Sequence, residues 1–205
     1  MNITFPEYAG TRCLMMPYTQ GDPESVPGEY AAYRPILADL FLQEGEIGYL
    51  TIDESTVKAN TPHRGKRAKF GRALHTEAGI DCNWGNGWGR PLYGWGRPYG
   101  WGHSHTVTLD RDVQILLANS VDGSCAVWDA EHVDTSLDGD IGDQAHLYPY
   151  SAAHFMKAGE VRQIGILTPH ESIPVETTVD RQFLRIVGAG VHGREPYFTE
   201  NPRMR

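Results

Sequence analysis

A mainly β fold of jelly-roll type is the architecture this sequence predicts, and three observations carry that expectation. Short apolar or β-branched segments recur along most of the chain, glycine-containing turn pairs separate them, and a single helical period precedes them. The 205 residues fit one domain spanning 1–205.

The helical period comes first. Tyr33, Ile36, Leu37, Leu40 and Phe41 fall at i, i+3, i+4, i+7 and i+8. That spacing predicts a helix over 30–43, within a helical lead-in of about 29–44. Pro35 fits its first turn, where a missing N–H costs least. After Gly45 the period shortens. Segments 47–52, 105–109, 113–118, 124–128, 160–167, 171–175 and 182–187 are short, apolar or β-branched, and bounded by turn residues, so each predicts a strand. Asp122-Gly123, Asp138-Gly139 and Ala158-Gly159 supply turns between them, and a second short helix is expected at 151–157. Seven or eight strands behind one helix suit a closed or sandwiched antiparallel sheet with the helices packed outside. A Gly-rich phosphate loop in a strand–helix context is missing, which argues against a nucleotide-binding fold.

Composition excludes several classes. The apolar share of 40% and the aromatic share of 10% can build a core, which rules out wholesale disorder. No run approaches the ~20 apolar residues that span a bilayer, and the first residues have neither a basic start nor an apolar stretch. Cys13, Cys82 and Cys125 are odd in number and widely spaced, unlike a disulfide framework or a zinc ribbon. The expectation is a soluble cytoplasmic protein; homo-oligomerisation stays open.

Charge and aromatics concentrate in one place. The net charge is −8, yet residues 61–105 hold seven basic and two acidic side chains. A basic island in an acidic chain suggests a local anion site, whereas a nucleic-acid binder spreads positive charge over a whole face. Residues 84–102 include seven glycines and four tryptophans, in a near-repeat of Trp88-Gly89-Arg90-Pro91 and Trp95-Gly96-Arg97-Pro98 that ends at Trp101. Glycine and proline bar a regular helix or central strand there. A long aromatic loop remains, serving either as a cover over a pocket or as self-packed turns. On the first reading Arg72, Trp88, Trp95 and Trp101 bind substrate.

The histidines offer metal chemistry. Residues i and i+2 of a strand share a face, so His-x-Asp or His-x-Glu delivers two ligands from one strand. A non-haem iron site needs two histidines and one carboxylate, with positions left open. The chain has His75-Thr76-Glu77 and His132-Val133-Asp134, and a distal partner in His170, followed by Arg181 and Arg185. His103-Ser104-His105 could also place two imidazoles on one face.

In these residues the chain resembles the Fe(II)- and 2-oxoglutarate-dependent oxygenases. The resemblance implies a double-stranded β-helix, with His75, Glu77 and His170 as iron ligands. It also implies 2-oxoglutarate as cosubstrate, its distal carboxylate held by Arg181 or by Arg185 on the same strand face. The 95 residues from His75 to His170 leave room for the intervening strands, and the 38 from His132 leave little. His75 and Glu77 are therefore preferred, with His132 and Asp134 as the alternative pair. Two departures stand out: Glu77 is one methylene longer than the commoner Asp, and Phe183 occupies a position where the family often has Ser. The implied activity is hydroxylation of a polar or anionic small molecule. Two other readings stay open: a different metal-dependent cupin-type enzyme, and a non-enzymatic β-sandwich binding a partner or building a virion through its tryptophan-rich loop.

Overall fold

The computed structural model describes residues 1–63, 72–79, 92–94, 108–132, 139–192 and 198–204. Twelve strands and one short α-helix organise them. The strands are β1 (Arg12–Thr19), β2 (Ile47–Val57), β3 (Ala78–Gly79), β4 (Leu92–Gly94), β5 (Thr108–Leu109) and β6 (Gln114–Asn119), followed by β7 (Cys125–Val127), β8 (His154–Phe155), β9 (Arg162–Gly165), β10 (His170–Ser172), β11 (Val179–Val187) and β12 (Val191–His192). They form three antiparallel sheets, ordered β1-β2-β11-β6-β9, β10-β7-β8 and β12-β5-β4-β3. The chain is mainly β, as its alternation predicts. Among the described residues no helix is long and apolar enough to cross a membrane.

Alternation sorts the side chains of the five-stranded sheet into two cores. Ile115, Leu117 and Val187 point inward and pack with Cys125 and Val127 of the second sheet. Their neighbours Leu116, Ala118, Leu184 and Ile186 point outward, onto Tyr30, Tyr33, Ile36 and Leu37. Each fully buried Leu or Ile removes enough apolar surface to stabilise by about 1.5–3 kcal/mol. The layers are therefore helix, sheet, core and second sheet, and residues on the inner faces look toward one another.

The lead-in departs from the predicted 30–43 helix. Residues Gly28–Tyr33 wind as a 3₁₀-helix, and α1 covers only Arg34–Asp39, with Pro35 in its first turn. Proline has no N–H to continue an α-helical ladder from the preceding turn, so the segment before it tightens. The far end stops at Leu40, whose backbone is extended. There the amides of Leu42 and Gln43 donate to the buried Gln20 side chain instead of extending the helix. The apolar face survives, with Tyr33, Ile36, Leu37 and Leu40 buried.

The 151–157 segment is likewise no helix. A 3₁₀ turn at Tyr150–Ala152 leads into β8, whose His154 and Phe155 pair with Val127 and Ala126. Cross-strand pairing outweighs local propensity here. β1 carries no strand prediction at all. Its run Cys13-Leu14-Met15-Met16 lacks alternation because a bulge falls within it, with Met15 at φ 46°.

Candidate metal centre

The site is built on residues 72–77, which thread between two other segments. His75 exchanges both backbone hydrogen bonds with His170, at 3.0 and 2.9 Å, and also bridges to Asp140. The amides of Thr76 and Glu77 donate to the carbonyls of Gly139 and Ile166. Gly139 makes this approach feasible: its φ is +67°, and a Cβ there would lie 2.6 Å from the Thr76 carbonyl oxygen. His75 thus extends the second sheet by one position beyond β10.

Period-2 alternation then decides which side chains meet. His75 and Glu77 share a face, and the pairing brings His170 beside them. Candidate ligand atoms of His75, Glu77 and His170 all lie within 4.8 Å of one another, the one such group among the described residues. His170 Nε2 is 3.2 Å from Glu77 Oε1, and the two imidazole centroids are 4.1 Å apart. Glu77 and His170 are buried, and His75 is half-buried.

Both imidazoles are oriented from behind. His75 Nδ1 lies 2.7 Å from the Ala73 carbonyl and His170 Nδ1 lies 2.9 Å from that of Thr168. A carbonyl only accepts, so each Nδ1 carries a proton, which leaves each Nε2 as the candidate ligand atom. Backbone anchoring of the second ring nitrogen is how metal-binding histidines are usually held. Metal–ligand bonds of ~2.1 Å set neighbouring donors about 3 Å apart, comparable with the His170–Glu77 separation. Two imidazoles and one carboxylate therefore form a group that could hold a metal ion.

Strand β11 lines the inner face with Arg181, Phe183 and Arg185. Arg185 Nη1 sits 3.3 Å from each carboxylate oxygen of Glu77. Arg181 is almost fully buried; its Nε donates to Ser124 Oγ at 3.0 Å, and its guanidinium lies 5.3 Å from the Phe183 ring centroid. Burial pulls its pKa down to about 10, against the pull of Cys125 and Asp53, so it stays charged at neutral pH. Its Nη1 has no hydrogen-bond partner among the described residues, and neither has the buried Asn119 Nδ2. Ser124 joins the two side chains, since its hydroxyl lies 2.7 Å from Asn119 Oδ1.

A second polar group flanks Arg181. Ser55 stands opposite it on β2, and His63 Nδ1 lies 3.3 Å from Ser55 Oγ. His63 Nε2 is 3.1 Å from Asp53. Burial lowers the His63 pKa; Asp53 opposes that shift and the Arg181 charge adds to it. For Asp53, burial would raise the pKa, but His63 and Arg12 more than offset it and hold the carboxyl at about 2.

The other predicted residues stand elsewhere. His132 is buried with Nδ1 2.6 Å from the Tyr148 hydroxyl, away from the His75 group, and Asp134 lies outside the described residues. Arg72 binds Glu171 through Nε and Nη2, donates to the carbonyls of Ala145 and Tyr148, and lies 4.3 Å from the Tyr150 ring centroid. Glu171 follows His170 directly, so Arg72 is engaged on the opposite face of the sheet from the metal group. Trp88, Trp95, Trp101 and both residues of the His103–His105 pair lie outside the described residues, and of the predicted 84–102 loop only Leu92–Gly94 are described, which form β4 between β3 and β5 where no central strand was expected. Ser124, Asn119 and His63 carry no prediction from sequence. The one available signal was the shared face of Asp53 and Ser55 on a strand.

No protein-family model matches this chain, and no curated protein or solved structure matches it either.

Proposed function

We propose that this protein is a non-haem, Fe(II)- and 2-oxoglutarate-dependent oxygenase acting on a polar or anionic small molecule. The convergence of His75, Glu77 and His170, with both histidines oriented through Nδ1, carries the reading. The strand order supports a double-stranded β-helix beneath it. Count eight core segments as β2, 72–77, β6, β7, β8, β9, β10 and β11. The first sheet then runs first-eighth-third-sixth, and the second runs second-seventh-fourth-fifth through the His75 bridge. Apart from the fourth and fifth, which pair within the second sheet, successive segments cross from sheet to sheet, which is how a jelly roll winds.

His75, Glu77 and His170 would hold the iron, which with oxygen and a 2-oxo acid would supply the chemistry for oxidising a substrate C–H bond. The chain's own groups do the rest. Arg181 offers its uncommitted Nη1 to the distal carboxylate of the acid, with Phe183 and Ser124 fixing the guanidinium. Arg185 is committed to Glu77, which leaves Arg181 the stronger anchor of the two. Apolar side chains that include Val127 and Ile164 pack between the two sheets. A cytoplasmic setting suits the free, buried Cys13 and Cys125.

Anaerobic titration of the intact protein with Fe(II) or Mn(II), followed by tryptophan fluorescence, tests the centre. Repeating it with 2-oxoglutarate tests the cosubstrate, and succinate formation in air tests turnover. A metal response that 2-oxoglutarate enhances is expected. A metal response indifferent to the acid points to a cupin-type enzyme without the 2-oxo acid, a reading that Phe183 at the position of the family's Ser favours. Absence of any metal response overturns both.

A further inference from the structure

Two cations compete for Glu77. One is the divalent ion that the triad would hold; the other is already in the chain. Arg185 Nη1 lies 3.3 Å from both Oε1 and Oε2. The guanidinium cannot easily leave. Its residue pairs with Thr51 on one side and Leu117 on the other, and its Nη2 lies 3.1 Å from Met15 Sδ and 3.4 Å from Thr51 Oγ1. Both members of the pair are buried, so solvent screens their interaction little.

Resting on the metal-centre reading above, we infer that Arg185 is an internal counter-cation for Glu77. It keeps the apo site assembled, weakens divalent-ion binding, and makes that binding depend on an anionic co-ligand. Without a metal, His170 and Arg185 both lie against the buried Glu77 carboxylate, and the guanidinium charge lowers the cost of keeping it there. A metal held at the triad would be opposed by the same positive charge beside Glu77. An acid that chelates the ion brings negative charge into the space that also holds Arg181, and offsets the excess. Metal and acid then bind cooperatively, and linkage makes the effect reciprocal. Arg185 is a positioning residue here. It also accommodates the longer Glu side chain, by fixing the carboxylate that the extra methylene would otherwise free.

The test is Mn(II) affinity of the full chain by calorimetry, alone, with 2-oxoglutarate, and with oxalate as a shorter chelating dianion. In the wild type either acid is expected to tighten Mn(II) binding about 10–100-fold. Arg185→Met is expected to bind Mn(II) alone about 10-fold more tightly and to lose most of that coupling, while Arg185→Lys keeps the wild-type pattern. A merely structural role predicts the reverse sign, looser binding in Arg185→Met. Equal or weaker Mn(II) binding in a folded Arg185→Met protein overturns the inference. So does a wild type that binds Mn(II) equally well with and without both acids, a result that needs no variant to fold. Coupling to oxalate alone supports the counter-cation and overturns the 2-oxoglutarate reading. No Mn(II) binding under any condition overturns both.

Discussion

Glu54 and Glu77 are both 2% exposed, yet their surroundings differ in kind. Glu54 lies on the outer face of the five-stranded sheet, where neutral donors surround it: the amides of Ala9 and Thr11, the Tyr33 hydroxyl and the Gln182 side chain, at 2.6–2.8 Å. Glu77 lies on the inner side, against the His170 imidazole and the Arg185 guanidinium. Four short hydrogen bonds to neutral groups close Glu54 as a structural anchor. Glu77 instead meets two ionisable side chains, His170 and Arg185, and belongs to the group that could hold a metal ion. Burial alone therefore marks nothing; the chemistry of the neighbours does.

Removing each carboxylate should separate the two roles. Glu54→Ala strands four donors in the interior and is expected to cost about 3–5 kcal/mol. Urea unfolding measures it, with Mn(II) affinity of the folded fraction unchanged; loss of metal binding in that fraction would erase the distinction. Glu77→Gln keeps the shape but removes the charge and one of the two oxygens that accept from Arg185. It is expected to weaken Mn(II) binding at least ~100-fold, while the protein still unfolds cooperatively.

Acid titration should give the smallest effect. Burial would raise the pKa of Glu54, but Tyr33, Gln182 and the two amides outweigh it and hold it below the ordinary value. A depressed carboxylate stabilises the fold above the unfolded-state pKa of about 4.3, and that stability is lost as pH falls through the lower folded value. His63 acts earlier. Burial depresses its pKa, so the folded state resists protonation, and stability begins to fall below about pH 6.5. Unfolding midpoints measured against pH should show both limbs, with Glu54→Gln flattening only the more acidic one.

The triad was legible because its signal is local and periodic. His75 and Glu77 are two residues apart, and His170 heads an apolar strand far enough along the chain for the intervening strands to form. The Arg185–Glu77 contact was not, because it spans 108 residues and depends on which strands become neighbours. The Glu54 network joins positions 9, 11, 33 and 182 in the same nonlocal way. Local signals failed where tertiary partners overrode them. Gln20 ends the helical segment early, and the bulge at Met15 hides the first strand.

Strand β11 serves both glutamates at once. Gln182 reaches Glu54 on one side, while Arg181 and Arg185 face the other. A single codon inserted between Ser172 and Val179 could be absorbed in a connection. One inserted within 181–185 would turn the downstream arginine toward the helix and an apolar neighbour toward Glu77. The gene can tolerate length variation on either side of this strand but not inside it. Scaffold and chemistry are thereby encoded in one reading frame of alternating residues.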